Sequence, residues 1–214
     1  MNYTHFTASR YGELCQAGFP QEALDPDPAF RELAKRYSER QRHYHTAFHI
    51  DECLAEFNAA RTAAKNPVAL EFAIWFHDAI YEPRRPDNEE QSAALAVEYL
   101  RPNAALAECV YSLVLTTKTH VPENTPDAAL LIDIDLSILG KRTDRFAEYE
   151  AQIRAEYSWV PLPLYSEKRA RILRDFLARP RIFNTEVFYD RYETQARRNL
   201  AESIARLEAQ RDPP

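Results

Sequence analysis

Apolar residues along this chain recur at the spacing of amphipathic helices rather than of strands. Residues that start helices, together with prolines, divide the pattern into about nine or ten helical segments. No segment shows the alternating Val, Ile and Thr residues of a half-buried strand, and the chain has only three Gly against fourteen Pro. The pattern therefore predicts an all-α fold.

The start and stop signals also predict where the helices lie. In the first part of the chain we expect helices over about Thr4 to Gln16, Asp27 to Ser38, Asn66 to His77-Asp78, Asp87 to Leu100, and Asn103 to Thr117. A further helix, which carries His49, is expected to begin at about Thr46. In the second part we expect a helix from about Asp127 that Gly140 caps, followed by Thr143 to Trp159, Tyr165 to Leu177 and Thr185 to Gln210, with a frayed tail from Arg211.

Length and charge limit the class of protein. A chain of 214 residues is expected to form one domain with a substantial core. Its formal charge of −6 argues against a nucleic acid polymer as a partner. The N-terminus has no signal-peptide pattern, and no apolar stretch approaches the roughly 18 residues of a membrane helix. We expect a soluble cytoplasmic protein. Its oligomeric state is left open by the sequence, and a homodimer is one possibility.

The three cysteines do not indicate a disulfide framework or a zinc knuckle. Cys15, Cys53 and Cys109 are odd in number and far apart, and none belongs to a CxxC pair. We expect them to be small, buried side chains.

Three apolar segments carry imidazole or carboxylate groups where a helix core would be expected. His77 and Asp78 lie near the end of the run Leu70 to Tyr81, in which most other side chains are apolar, and a buried carboxylate there is costly unless it is paired or bound to a metal. His49 begins the segment HIDECLAEF, and the stretch LLIDIDLSILG carries both Asp133 and Asp135. Imidazole and carboxylate are ligands of divalent cations, so these segments predict a metal site built from separate helices.

The order of these residues, His, then His-Asp, then Asp, resembles the HD superfamily of metal-dependent phosphohydrolases. The motifs RHYHTAFHI, WFHDAIY, DNEEQSA and DIDLSILG carry the resemblance, in particular to small bacterial predicted phosphohydrolases. It implies a helical HD core over about residues 40–140, with extra helices before it and a helical extension over about 143–210.

The resemblance also implies roles for individual residues. Asp135-Leu136-Ser137 is similar to the sequence at the last ligand of other HD phosphohydrolases, so Asp135 is preferred over Asp133, which would support a ligand. The ligands would then be His49, His77, Asp78 and Asp135. Many HD enzymes bind a second metal through a histidine where this chain has Asn88, so we expect one divalent ion per chain. Manganese, cobalt, nickel, iron, zinc and magnesium all remain open.

Other polar residues near these motifs are candidates for substrate binding and proton transfer. Glu89 is the first candidate for proton transfer, and Asp78 would act both as ligand and in catalysis. The candidates for substrate contact are Arg42, His45, Arg84 and His120, of which His120 is also an alternative second-metal ligand. Structural alternatives exist for each: the acidic start of a helix matches its dipole, and arginines are ordinary surface charges.

Three function classes follow. The first is hydrolysis of a small phosphate ester, with a nucleotide as the candidate substrate, by a metal-activated water. The second is a di-iron oxygenase on the same scaffold, which would need further histidine ligands. The third is a metal-stabilised binding protein without turnover.

Overall fold

The computed structural model describes residues 3–21, 25–122 and 125–211. In these ranges the chain forms ten α-helices and two short 3-10 helices and contains no strand, which confirms the all-α prediction. The chain divides into two compact units, Met1–Asp135 and Leu136–Pro214. The HD core and the single domain stay predictions. The tail after Arg211 lies outside the described residues.

The N-terminal unit contains seven helices. They are α1 (Ala8–Gly18), α2 (Asp27–Arg36), α3 (Ala47–Ala60), α4 (Pro67–Phe76), α5 (Asn88–Leu100), α6 (Ala104–Thr116) and α7 (Pro126–Asp135), with a 3-10 turn at Arg61–Ala63 after α3. The C-terminal unit begins with a 3-10 segment, Leu136–Gly140, and continues with α8 (Thr143–Glu156), α9 (Leu162–Leu177) and α10 (Glu186–Arg211).

Helix α4 is the centre of the N-terminal unit. It contacts α1, α3, α5, α6 and α7, and every residue from Ala69 to Phe76 is buried. A helix that is apolar on all sides belongs in the interior. The predicted start is confirmed: Asn66 accepts a hydrogen bond from the Ala69 N–H group, and Pro67 occupies the first turn. α4 ends at Phe76, so that His77 caps its C-terminus.

The first helix begins later than the sequence predicts. Its N-cap is Thr7 rather than a residue near Thr4. The backbone N–H groups of His5 and Phe6 both donate to the carboxylate of Asp51, at 2.5 and 2.7 Å. This contact with α3 holds the preceding residues outside the helix, a long-range effect that local propensity does not encode.

Two expectations about the end of α7 were wrong. Asp135 was expected in the middle of a helix, but it is the last residue of α7, because the next five residues take the tighter 3-10 winding. Gly140 was expected as a C-terminal cap, but it is the last residue of the 3-10 segment, and no described glycine has a positive φ. Gly140 is instead needed for close packing, since a Cβ atom at this position would collide with Tyr192.

The C-terminal unit has its own buried core. α10 packs along α9 and against the Leu136–Gly140 segment. Asn199 on α10 donates from its amide to the carbonyls of Leu139 and Lys141, both at 2.8 Å. These bonds satisfy backbone groups at the end of the 3-10 segment. No helix in the described ranges is long and apolar enough to cross a bilayer.

Candidate metal centre

Helix ends in the N-terminal unit bring the predicted ligands together. His49 lies in the first turn of α3, whose N-cap Thr46 accepts from the Phe48 N–H group as predicted. His77 and Asp78 follow the last turn of α4, and Asp135 ends α7. Two of the three helices therefore direct their C-termini to this cluster, and the partial negative charge of a helix C-terminus favours a cation.

The four side chains form a closed ring of short distances. The Nε2 atoms of His49 and His77 are 3.2 Å apart. Asp78 Oδ2 lies 3.5 Å from His49 Nε2 and 3.2 Å from His77 Nε2. Asp135 Oδ1 lies 3.3 Å from His49 Nε2 and 3.6 Å from His77 Nε2. Nitrogen and oxygen ligands about 2.1 Å from one ion are about 3.0 to 3.4 Å apart, so the separations among His49, His77 and Asp78, which form one group of potential ligands, are close to those around a shared cation. Asp135 belongs to a second group that also contains His49.

Burial and neighbouring charges shift the pKa values of the cluster residues in opposite directions. Burial alone would lower the pKa of His77, but the charge of Asp78 and a hydrogen bond with Asp135 raise it well above its usual value. Burial alone would raise the pKa of Asp78 and Asp135. The charges of His77 and His45 outweigh burial at Asp78 and lower its pKa. Hydrogen bonds with His120 and His49 outweigh burial at Asp135 and lower its pKa as well. Both carboxylates are thus ionised at neutral pH.

The ring of His77 is oriented for metal binding. Its Nδ1 atom lies 2.9 Å from the carbonyl oxygen of Ile74, one turn back in α4. A protonated Nδ1 donates to this carbonyl and leaves Nε2 to face the cluster.

Arg42 supports the chain at the ligand pair from within the core. Its guanidinium donates to the carbonyls of His45 and Asp78 at 3.0 and 2.6 Å, and to that of Ala79 at 2.8 Å. Its side chain is fully buried and also pairs with Glu39. The structure therefore gives Arg42 a structural role behind Asp78, and its contact with substrate stays a prediction.

His120 joins the cluster from the loop after α6. Its Nε2 atom lies 3.0 Å from Asp135 Oδ2, while the other carboxylate oxygen of Asp135 faces His49 and His77. The His120 side chain is 27% exposed, and its φ of 50° is the only positive value at a non-glycine residue in the described ranges. Such strained backbone is concentrated at functional sites.

The remaining predicted site residues lie at different positions around the cluster. His45 stacks on Tyr81 with ring centroids 4.0 Å apart. Asn88 holds the loop after the ligand pair, because its amide exchanges two hydrogen bonds, both of 3.0 Å, with the backbone of Glu82. Arg84 in this loop is exposed, and Glu89 is half-buried in the first turn of α5.

Asp133 is separate from the ligand ring. It is completely buried in α7, and neither group of potential metal ligands found among the described residues includes it. Residues two apart on a helix point to different faces, so Asp135 can belong to a group of potential ligands to which Asp133 does not belong.

Sequence reasoning missed Cys53. It is buried as expected, but its sulfur lies 3.7 Å from His49 Nδ1, and it forms a second group of potential ligands with His49 and Asp135. The signal was present in the sequence: Cys53 follows His49 by four residues, so both lie on one face of α3.

No protein-family model matches the sequence, and comparisons with curated proteins and with solved structures find no significant match. The function is therefore inferred from the geometry of this cluster and from the motifs themselves.

Proposed function

We propose that this protein is a metal-dependent hydrolase of small phosphate esters, with a nucleotide as the candidate substrate. The observation that carries the proposal is the ring formed by two imidazole nitrogens and two ionised carboxylates, with neighbouring atoms 3.2 to 3.6 Å apart. The ligand set would be His49, His77, Asp78 and Asp135. A bound divalent cation would attract a phosphate oxygen and acidify a water molecule.

The residues of the chain would divide the remaining tasks. His120 stands at the exposed rim beside Asp135, where it is suited to hydrogen-bond a phosphate oxygen. His45, held against Tyr81, and Arg84 in the adjoining loop are further candidates for substrate contact. Glu89 remains the candidate for proton transfer to the leaving group.

One ion per chain is the stoichiometry that the contacts favour. Asn88 stands where many HD enzymes have a second-metal histidine, and its amide forms two hydrogen bonds with the backbone of Glu82. This supports the single-metal hydrolase over a di-iron oxygenase.

The first test is metal content and turnover of the purified chain and of Asp78→Ala. We expect about one divalent ion per chain and hydrolysis of at least one member of a panel of nucleotides and phosphate esters. Asp78→Ala should lose both, because a ligand and its charge are removed. Asp144→Ala, which changes an exposed aspartate of α8, is the control and should keep both.

Each other outcome selects a different function. Metal retained at full stoichiometry in Asp78→Ala would overturn the ligand assignment. Two irons with substrate-dependent oxygen uptake would favour the oxygenase. One bound ion without turnover across the panel would favour the metal-stabilised binding protein.

A further inference from the structure

A groove lies between α8 and α10 in the C-terminal unit. On α8 its wall is formed by residues at the spacing of one helix face, Ala147, Glu150, Ala151 and Arg154. On α10 the same spacing recurs in the opposite wall, at Ser203, Arg206, Leu207 and Gln210. The volume of the groove, about 290 Å³, is close to the lower limit for small-molecule pockets.

The groove offers apolar surface to a ligand. The two alanine side chains of α8, at positions 147 and 151, are exposed and leave space that a longer side chain would fill. Leu162 of α9 is 44% exposed, and the buried side chains of Tyr165 and Leu207 complete the apolar lining. An apolar ligand would remove this surface from water, which favours binding.

The one carboxylate in the lining of the groove is already paired. Glu150 Oε1 accepts a hydrogen bond from Arg169 Nε at 3.1 Å, and Glu150 Oε2 accepts one from Ser203 Oγ at 2.7 Å. Arg169 is buried and also donates to the hydroxyl of Tyr149 at 2.8 Å. These contacts connect α8, α9 and α10, so the groove is formed before a ligand binds.

Arg154 contributes a positive charge to the groove that no described carboxylate neutralises. Its guanidinium donates to the carbonyl oxygens of Tyr157 and Val160 at 2.5 and 3.1 Å. It also lies 4.7 Å from the centre of the Tyr165 ring. All three partners are uncharged, so they hold the guanidinium in place and leave its charge uncompensated.

Arg206 provides a second positive charge in the opposite wall. It is exposed, and its side chain forms no ion pair or hydrogen bond with another described residue. Since Glu150 is paired with Arg169, the charges of Arg154 and Arg206 give the groove a positive potential. Such a potential favours an anion.

We propose that this groove binds a small amphipathic carboxylate, that is, an apolar body with one carboxylate group. The apolar body lies against Leu162, Leu207 and the two alanines of α8, and the carboxylate accepts two parallel hydrogen bonds from the guanidinium of Arg206. Two nitrogens of Arg154 already donate to carbonyls, so Arg154 adds charge. One available guanidinium beside Glu150 suits a monoanion better than a doubly charged phosphate ester. The proposal does not depend on the metal centre, because none of these residues belongs to it.

The test is a titration of the isotope-labelled full chain with sodium octanoate below its micelle concentration, followed by amide resonances. Octanamide, which has the same length and no charge, is the matched ligand. We expect saturable shifts at the groove residues of α8 and α10, with octanamide binding about tenfold more weakly. Arg206→Gln should lower octanoate affinity about tenfold and leave octanamide affinity unchanged. Arg171→Gln, which changes an exposed arginine of α9 outside the groove, should leave both affinities unchanged.

A second variant tests the space in the groove. Ala151→Leu introduces a longer side chain at an exposed helix position, where leucine is compatible with the helix, and it should abolish binding of both ligands. Octanoate binding that persists in Ala151→Leu, or an octanoate affinity that is unchanged in Arg206→Gln, would overturn the proposal. Shifts outside the groove, equal affinities for octanoate and octanamide, or no saturable shift in the unaltered chain would overturn it as well.

Discussion

Among individual residues, Arg42 shows how a side chain outside the ligand ring supports the ring. It is a charged group without solvent exposure, and it bonds three backbone carbonyls around the ligand pair. A planar guanidinium can reach several acceptors in fixed directions, which a lysine ammonium cannot do.

Arg42→Lys should therefore weaken metal binding without abolishing it. We expect metal affinity to fall about 10- to 100-fold, the range typical of groups that orient ligands, with stoichiometry unchanged in a calorimetric titration. Arg84→Lys, a change at an exposed arginine near the same loop, serves as the control. Unchanged affinity in Arg42→Lys would show that Asp78 is held by other contacts.

The raised pKa of His77 predicts a pH dependence of metal binding. The charge of Asp78 and the bond with Asp135 favour protonated His77 when no metal is bound, so a metal must displace a proton. Manganese affinity should fall as pH decreases, and calorimetry in buffers of different ionisation enthalpy should detect about one proton released near pH 7. A binding enthalpy that is independent of the buffer would contradict this.

The raised pKa of His77 also affects the stability of the metal-free protein, which decreases as pH rises, whereas metal affinity increases. A raised pKa contributes stability that is fully present below the unfolded value of about 6.5 and is lost as pH rises through the folded value. The lowered pKa values of Asp78 and Asp135 contribute stability that is present above about 3.9 and is lost as pH falls through their folded values. The stabilisation that metal adds should thus increase with pH.

Among the helices, α4 combines an apolar sequence with one buried carboxylate, Glu71. The side chain of Glu71 is 5% exposed, and its two oxygens pair with Arg10 of α1 at 2.7 Å and with Arg61 of the 3-10 turn at 2.8 Å. The two arginines differ in burial, since their side chains are 16% and 47% exposed, respectively. Removal of one partner from a buried pair costs more than removal from an exposed pair.

Arg10→Ala should lower the free energy of unfolding by about 3 kcal/mol, because it leaves a buried carboxylate with half of its partners. Arg61→Ala should lower it by about 1 kcal/mol or less. Denaturant unfolding of both variants checks the order. Equal losses would mean that the exposed arginine holds Glu71 as firmly as the buried one.

Helix boundaries separate what local sequence encodes from what it does not. The starts of α3, α4 and α6 were predicted from residue type, because the side chains of Thr46, Asn66 and Asn103 bond to backbone only two or three residues away. The delayed start of α1 depends on Asp51, which is 45 residues beyond Phe6. Periodicity and propensity contain no information on such distant partners.

In the molecule as a whole, all the proposed metal ligands belong to the unit Met1–Asp135. A ligand that binds only the folded state stabilises it by mass action, by about 2.7 kcal/mol when its concentration is 100 times the dissociation constant. A bound metal would thus couple the stability of α3, α4 and α7 to its concentration.

Chelation should therefore lower Tm, and readdition of metal should restore it. Hydrogen exchange should become faster on chelation in α3 and in the last turns of α4 and α7, where the ligands lie, because these turns lose a shared tether. Asp78→Ala provides the control, since its Tm should no longer respond to metal. Identical melting with and without chelator would contradict a metal centre in this unit.

The amino-acid sequence alone determined that the chain is helical and which residue types are available for a metal. Helical periodicity, caps and the cost of a buried carboxylate act within a few residues or depend on residue type, so they are readable along the chain. Only the tertiary structure places the potential ligand atoms of His49, Cys53 and Asp135 within 4.8 Å of one another. It also decides that Arg42 donates to backbone carbonyls. These depend on how α3, α4 and α7 meet in space, which is set by many weak contacts between distant residues.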